Sequence, residues 1–305
     1  MNSCHSKCKE SIRQKALELG AVSCGMAKAE PVGQEDAEIY LNWLSDGCDG
    51  EMEYCRRYTE VRNDPRLLLE GAATVISIAF SYYNDSYDTP LASRISRYAW
   101  GLDYHYVIKD RLNRLASYIS ENFGGECRAV VDSAPIRERY WAVRSGIGYI
   151  GLNGQLIIPG AGSYCFLGEV IWTGTVRPDP PSLSGCGACM ACVKACPGQA
   201  LDGTGRCDAR RCVSYLTIEH RGSLDRDARL NGSIYGCDVC QEVCPHNRGI
   251  STTLLPEFIP ENPILKCCED EIMSMTSSHY RHIMRCTAMQ RVPLKQLIRN
   301  IQHKR

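Results

Sequence analysis

The stretch CGACMACVKACPGQA, from Cys186 to Ala200, constrains this chain more than any other. Cys186, Cys189, Cys192 and Cys196 follow at gaps of two, two and three residues, and a proline closes the run. Neither helix nor strand periodicity calls for that spacing. An iron–sulfur cube does, because a compact run wraps three thiolates around one cluster and sends the fourth, before proline, to a second. A further set, CDVCQEVCPHN from Cys237, ends in the same Cys-Pro step. Applying the crossing rule in both directions puts Cys186, Cys189, Cys192 and Cys244 on cluster one, and Cys196, Cys237 and Cys240 on cluster two. The last ligand of cluster two is Cys212, with Cys207 as its rival. The gap between Cys212 and Cys237 stretches the ferredoxin spacing, and four thiolates also suit structural zinc. The dense first run and the repeated Cys-Pro step favour two [4Fe-4S] clusters, and so electron transfer.

With 305 residues and 44% hydrophobic content, the chain has material for one large core and an appended module. Small oxidised scaffolds are the usual home of many cysteines, and this chain is too large and apolar to need such staples. No apolar run approaches a membrane span, and the start MNSCHSKCKESIRQK lacks the apolar core of an export signal. A cytoplasmic monomer without membrane association is therefore expected. Lys+Arg and Asp+Glu balance at 35 each, so any nucleic-acid footprint has to be local.

KESIRQKALELG reads as a helix ending at Gly20, followed by the apolar segment AVSCGMA. GAATVISIAFSYY is the clearest central strand. In LDYHYVIKDRLNRLASYISENFGG, residues Val107, Ile108, Leu112, Leu115 and Ile119 recur at helical spacing, with Asp103 as cap and paired glycines as stop. The strand CRAVVD, a helix within IRERYWAVRSG, and the apolar segments NGQLIIPG and YCFLGEVIWTG complete a domain mixing helix and sheet. VRPDPPSLSG reads as a linker. In the tail, Ile283, Met284, Met289, Leu294, Leu297 and Ile298 are available to pack against the body.

Electrons from two clusters need a destination, and the distinctive polar residues lie upstream, in RYAWGLDYHYV and VVDSAPIRERYWAVRSGIGYIGLNGQLI. Asp132 follows a short strand at a turn, where apolar surroundings that raise its pKa would make it an acid; a turn or cap role fits the same pattern. His105 is a functional group or a polar cap. Arg97, Tyr104, Glu138 and Arg139 are ligand contacts or salt-bridge partners. No GxGxxG at a nucleotide-binding turn and no Walker A sequence occur.

In their order these motifs resemble the epoxyqueuosine reductase family, from ELGAVSCGMA through RYAWGLDYHYVIKDRL, VVDSAPIRERYWAVRSGIGYIGLNGQLI, GSYCFLGEV, the first cysteine run and CDARRCVSYLTIEHRG to IYGCDVCQEVCPHN. The resemblance implies an α+β protein: a cobalamin-binding catalytic domain of mixed helix and sheet over 1–178, a bacterial ferredoxin-like two-[4Fe-4S] module over 179–250, and a short helical tail over 251–305. It implies reduction of epoxyqueuosine to queuosine at the wobble position of transfer RNA, using cob(I)alamin and electrons relayed by the clusters. Asp132, in the family's VDxxP segment, is implied as the general acid. Arg97, Tyr104, His105, Ser133, Arg139 and Asn153 are implied as cofactor contacts. The partners are transfer RNA containing epoxyqueuosine and an external donor such as a flavodoxin or ferredoxin system. A cobalamin-dependent reductive dehalogenase and a noncatalytic electron carrier are the alternatives.

Two departures from the family pattern stand out. GYIGLN replaces the usual GWxGKN, so Tyr149 and Leu152 stand where the family has tryptophan and lysine. Relatives commonly continue into a helical-repeat domain, so less transfer-RNA contact is expected here. Arg281, Arg285, Arg291, Lys295, Arg299, Lys304 and Arg305 either supply a local footprint or merely solvate a terminal helix.

Overall fold

The structure, a computed structural model, describes residues 2–303 except 86, 87 and 90, so Lys304 and Arg305 lie outside the described residues. The main sheet is built from β1 (Ser23–Lys28), β2 (Thr74–Ser81), β3 (Cys127–Val130) and, after a small hairpin of β4 (Tyr149–Ile150) and β5 (Leu156–Ile157), β6 (Cys165–Trp172). Its order is β1-β2-β6-β3, antiparallel throughout. Strand β2 has both edges paired and both faces covered, so all eight of its residues are buried, as the unbroken apolar run requires.

Helix α1 (Asn2–Glu18) carries Ile12 and Ala16 into the core, and Gly20, at φ 90°, makes the left-handed turn that ends it. Helices α2 (Gln34–Ser45) and α3 (Thr59–Asn63) lie between β1 and β2 in sequence. Helix α4 (Tyr104–Phe123) buries Ile108, Leu112, Leu115, Ala116 and Ile119, one stripe at helical spacing. Asp103 caps it by accepting the His105 N–H at 3.0 Å. Along β2 the side chains alternate: Ile76, Ile78 and Phe80 join the core under α1 and α4, whereas Val75 joins that of Trp141. Trp141 belongs to α5 (Glu138–Arg144), which covers the opposite face. At position 25 a Cβ would lie 2.0 Å from the Ser145 carbonyl oxygen, so glycine is what lets the end of α5 rest on β1.

The cluster region contains only short helices, α6 (Ala191–Ala195), α7 (Val213–Ile218) and α8 (Val239–Glu242). The preceding VRPDPPSLSG segment is irregular yet fastened. Asp179 pairs with Lys9 at 2.7 Å and with Arg13, and its N–H donates to the Met26 carbonyl at 2.7 Å.

The tail forms α9 (Glu269–Ser274), α10 (Ser277–Ile283) and α11 (Leu294–Gln302). Met284, Met289, Leu294 and Leu297 are buried and Ile283 and Ile298 pack beside them, as their spacing predicts. What they pack on is Leu91, Ile95 and Trp100 from early in the chain, with Ile218, Ile234 and Tyr235 from the cluster region. Residues from all three segments thus share one core. Among the described residues no helix is long and apolar enough to cross a membrane.

Candidate active site and cluster sites

Helix α4 runs about 30 Å outward at 1.5 Å per residue, and the chain from Gly124 to Asp132 returns about the same distance in extended form. This matched return brings Asp132 back to the first turn of α4. There Asp132 Oδ2 accepts from the Tyr104 hydroxyl at 2.6 Å and lies 2.9 Å from His105 Nε2. His105 Nδ1 sits 2.7 Å from Asp103 Oδ1. Asp132 itself adopts φ 29°, an uncommon positive value for a residue with a side chain.

Burial disfavours the charged form of His105, but hydrogen bonds to Asp103 and Asp132 outweigh it and raise its pKa to about 9. At neutral pH the ring is an imidazolium donating to both carboxylates. Burial also disfavours ionised Asp132, yet the bonds from His105 and Tyr104 prevail and hold its carboxyl below the usual carboxylate range. The condition under which Asp132 would be an acid through apolar surroundings is thus not met: its carboxyl is lowered, and the proton rests on the His105 imidazole. The Asp132 side chain is 47% exposed, and its neighbours His105, Val131 and Ser133 line a groove of about 480 Å³, so a recess adjoins the carboxylate. Tyr54 and Arg291, a tail residue, lie within electrostatic reach of it.

Behind the loop the Asp132 N–H donates to Glu138 Oε1 at 2.7 Å. Burial, reinforced by the Asp132 charge, pushes the Glu138 carboxyl up to about 8. Glu169 on β6 faces Val130 and Ser77 across the sheet, is fully buried, and has no hydrogen-bond partner for either oxygen among the described residues. Burial and the neighbouring Glu138 raise its pKa well above the ordinary range.

Cys186, Cys189, Cys192 and Cys244 line one cavity, together with Leu152, Asn153, Ile157 and His246. Tyr149 is buried against Cys186 and Cys244, its hydroxyl 3.1 Å from His246 Nε2. The Leu152 N–H donates to Cys186 Sγ at 3.4 Å, a contact that does not depend on the side chain standing there. Cys196, Cys212, Cys237 and Cys240 form a second group within mutual electrostatic reach, with Cys207 beside them. Cys212 stands at the N-cap of α7 with Cys207 beside it, and the Ala200 N–H donates to Cys196 Sγ at 3.2 Å. Backbone N–H groups directed at sulfur are the setting a cluster thiolate requires. Among the described residues no set of three or more His, Cys, Asp or Glu side chains is arranged to hold a single metal ion. An all-thiol donor set around a cavity fits a soft multi-iron cluster.

The other residues singled out from sequence divide by position. Tyr104 and His105 join Asp132 directly. Ser133 is exposed and, with His105, Lys109 and Arg128, lines that groove. Arg139 donates to the Gly154 carbonyl. Asn153 lines the first thiol cavity and reaches the Cys240 carbonyl at 3.5 Å, so it stands between the two thiol groups. Arg97 pairs with Glu242 at 2.7 Å and Asp238 at 3.5 Å and lies over the rings of Trp100 and Tyr164, joining its segment to α8. Glu169 and Arg291 were not anticipated at the site. An isolated acid in the apolar strand YCFLGEVIW was the available signal for Glu169; nothing local marks Arg291.

Residues 62–133 match the family described as Epoxyqueuosine reductase QueG, DUF1730, and residues 185–247 match the 4Fe-4S double cluster binding domain. An epoxyqueuosine reductase of Cellulophaga algicola is 36% identical, over 97% of either chain. Two solved structures align with a TM-score of 0.87, each over 97% of this chain and 80% of the other. One, 29% identical, is an epoxyqueuosine reductase with an epoxyqueuosine-modified tyrosine transfer-RNA stem loop; the second, 28% identical, is the Bacillus subtilis enzyme with an aspartate-bearing catalytic loop swung out of the active site.

Proposed function

The chain belongs to the epoxyqueuosine reductase family, and on that premise we propose that it removes the epoxide oxygen of epoxyqueuosine in transfer RNA, with Asp132 as the acid. The observation that carries this reading is the Asp103–His105–Asp132–Tyr104 cluster, open to a recess and joined to a double-cluster domain. The reaction takes two electrons and two protons, converting the epoxide to an alkene and water. Asp132 places a carboxylate at the recess, His105 holds the proton that Asp132 delivers, and Tyr104 fixes the carboxylate by donating to the same oxygen. Delivery at that point keeps negative charge from building up on the departing oxygen.

Cluster one is assigned to Cys186, Cys189, Cys192 and Cys244, and cluster two to Cys196, Cys212, Cys237 and Cys240. A corrinoid bound in the recess would supply a low-valent cobalt as the two-electron reductant. The half-exposed carboxylate of Asp132, held by Tyr104 and within electrostatic reach of Tyr54 and Arg291, leaves its open side to such a ligand. Anaerobic protein given cobalamin, a reductant and epoxyqueuosine-containing transfer RNA should yield queuosine, and cobalamin should co-elute with it on gel filtration. Chloride release from organohalides without conversion of the nucleoside would overturn the reading.

For the transfer-RNA footprint, the structure narrows the basic tail. Arg299 donates to the carbonyls of Leu216, His220 and Gly222 at 2.5–2.9 Å, and Arg291 pairs with Glu219 at 2.8 Å. Neutralising Arg299 would strip carbonyls of their donors and cost about 1–3 kcal/mol of stability, confounding a binding test. Arg281, Arg285 and Lys295 are exposed and carry no such task. Replacing these three with glutamine should weaken transfer-RNA binding and flatten its log–log salt dependence by about 0.7–0.9 per lost phosphate contact, with cluster absorption unchanged. An unchanged salt slope would remove the tail from the interface.

A further inference from the structure

We infer that Glu138 is the positioning residue of the reaction, a latch that holds the Asp132 loop against α4 through the Asp132 N–H. The inference rests on Asp132 being the acid. The segment from Val131 to Ile136 is seated at its ends by the buried side chains of Val131 and Ile136, but the hydrogen bonds within it are few. Ala134 N–H returns to the Val131 carbonyl, Ile136 N–H to Ala134, and the Ser133 hydroxyl to Val131. All of these are local and move with the turn. The connections that fix Asp132 to the rest of the fold are the two bonds to its carboxylate, from Tyr104 and His105, and one bond at its backbone, to Glu138 at 2.7 Å.

The carboxylate bonds cannot be the permanent anchors, because the side chain that makes them is the one that gives up and regains a proton. The backbone bond is independent of that exchange. It also falls at the residue whose φ of 29° is uncommon outside glycine, a conformation that lasts only where surrounding contacts impose it. Glu138 is well placed to impose it. As the first residue of α5 it is carried by a helix packed on β1, β2 and β6, so its carboxyl is referred to the rigid sheet and not to the loop.

The groups facing Glu138 are Asp132 on the loop, His105 on α4, Arg139 on its own helix, and Glu169 on β6 beneath. Glu169 stays protonated in its buried site, so an ionised Glu138 meets the charge of Asp132 in front, offset by His105 and Arg139, and none beneath. An ionised Glu138 makes a charge-assisted bond to the Asp132 N–H, stronger than that of the neutral acid. The latch therefore tightens as pH rises through about 8.

Two variants separate positioning from mere packing. Glu138→Ala removes the acceptor and should lower kcat about tenfold to a hundredfold, with KM within about twofold, since misplacing a reacting group costs turnover more than binding. Glu138→Gln keeps an amide oxygen for the Asp132 N–H, so it should recover most of that loss at neutral pH while losing the upward step in kcat near pH 8. A stability readout accompanies the kinetics. A carboxyl raised from 4.5 to about 8 favours the fold below about 4.5, and this advantage is lost as pH rises through about 8. Over that interval the parent should lose stability relative to Glu138→Gln.

A parental kcat in Glu138→Ala would overturn the inference, as would a Glu138→Gln enzyme as impaired as the alanine variant. The arm Asp132→Asn keeps the two proposals apart. Full activity in that variant refutes Asp132 as the acid, whereas an inactive Asp132→Asn beside a fully active Glu138→Ala refutes the latch alone.

Discussion

Asp132→Asn is expected to slow queuosine formation by about 10²–10⁴-fold, the range for losing a positioned proton donor, with transfer-RNA affinity within about twofold of the parent. The amide is nearly isosteric and can still accept from the Tyr104 hydroxyl, so the recess keeps its shape. What disappears is the charge that draws the His105 proton towards the substrate. An independent readout follows from the same pair. His105, raised from 6.5 to about 9, contributes stability that is complete below about 6.5 and is lost as pH rises through about 9. Asp132 is one source of that shift, so the parent's stability advantage over Asp132→Asn should be larger at about pH 6 than at about pH 10. Nucleoside analysis under single-turnover conditions measures the first effect and thermal unfolding across pH the second. A variant retaining most of the parental rate would sink Asp132 as the acid.

Cys212→Ser is expected to reduce the iron content of anaerobically reconstituted protein from about eight to about four per chain, with sulfide falling in parallel, while Cys207→Ser keeps about eight. The two thiols are adjacent in the fold, and the Cys207 thiol donates to Cys212. They differ in setting: Cys212 stands at the N-cap of α7, whereas Cys207 lies in an isolated bridge with Leu201. Because the remaining ligands of cluster two come from both cysteine sets, its loss should abolish electron delivery even though the first thiol cavity is intact. The reverse pattern of iron content would reassign the ligand. Zinc with negligible sulfide would remove both clusters.

Local chemistry made much of this protein readable from sequence. The cysteine spacing announces its clusters because a compact run supplies three thiolates to one cube while the Cys-Pro cysteine crosses to the other. The long helix after Asp103 and the buried central strand are written in their periodicity, and the packing residues of the tail are correctly marked by theirs. Asp132 and His105 could be singled out because a turn after a strand and the first turn of a helix are recognisable places.

Their meeting was not readable in the same way, because it depends on a helix and its returning strand having matched lengths, a property of neither alone. For the same reason the direction of the Asp132 pKa shift was not readable from its apolar neighbours. Two directed hydrogen bonds outweigh desolvation, and only the folded geometry supplies them. Of the two roles open to Arg97 and to Arg299, the folded chain shows the structural one: Arg97 pairs with Glu242 on α8, and Arg299 donates to Leu216 of α7 and to the carbonyls after it. The same holds for Glu169, one acid in an apolar strand, which acquires a neighbour only when α5 closes over the sheet. Sequence fixes the chemical capacity of each residue and the local element that carries it; which capacities are spent on structure and which remain for chemistry is decided by partners far apart in the chain, and burial and charge act only once those partners are in place.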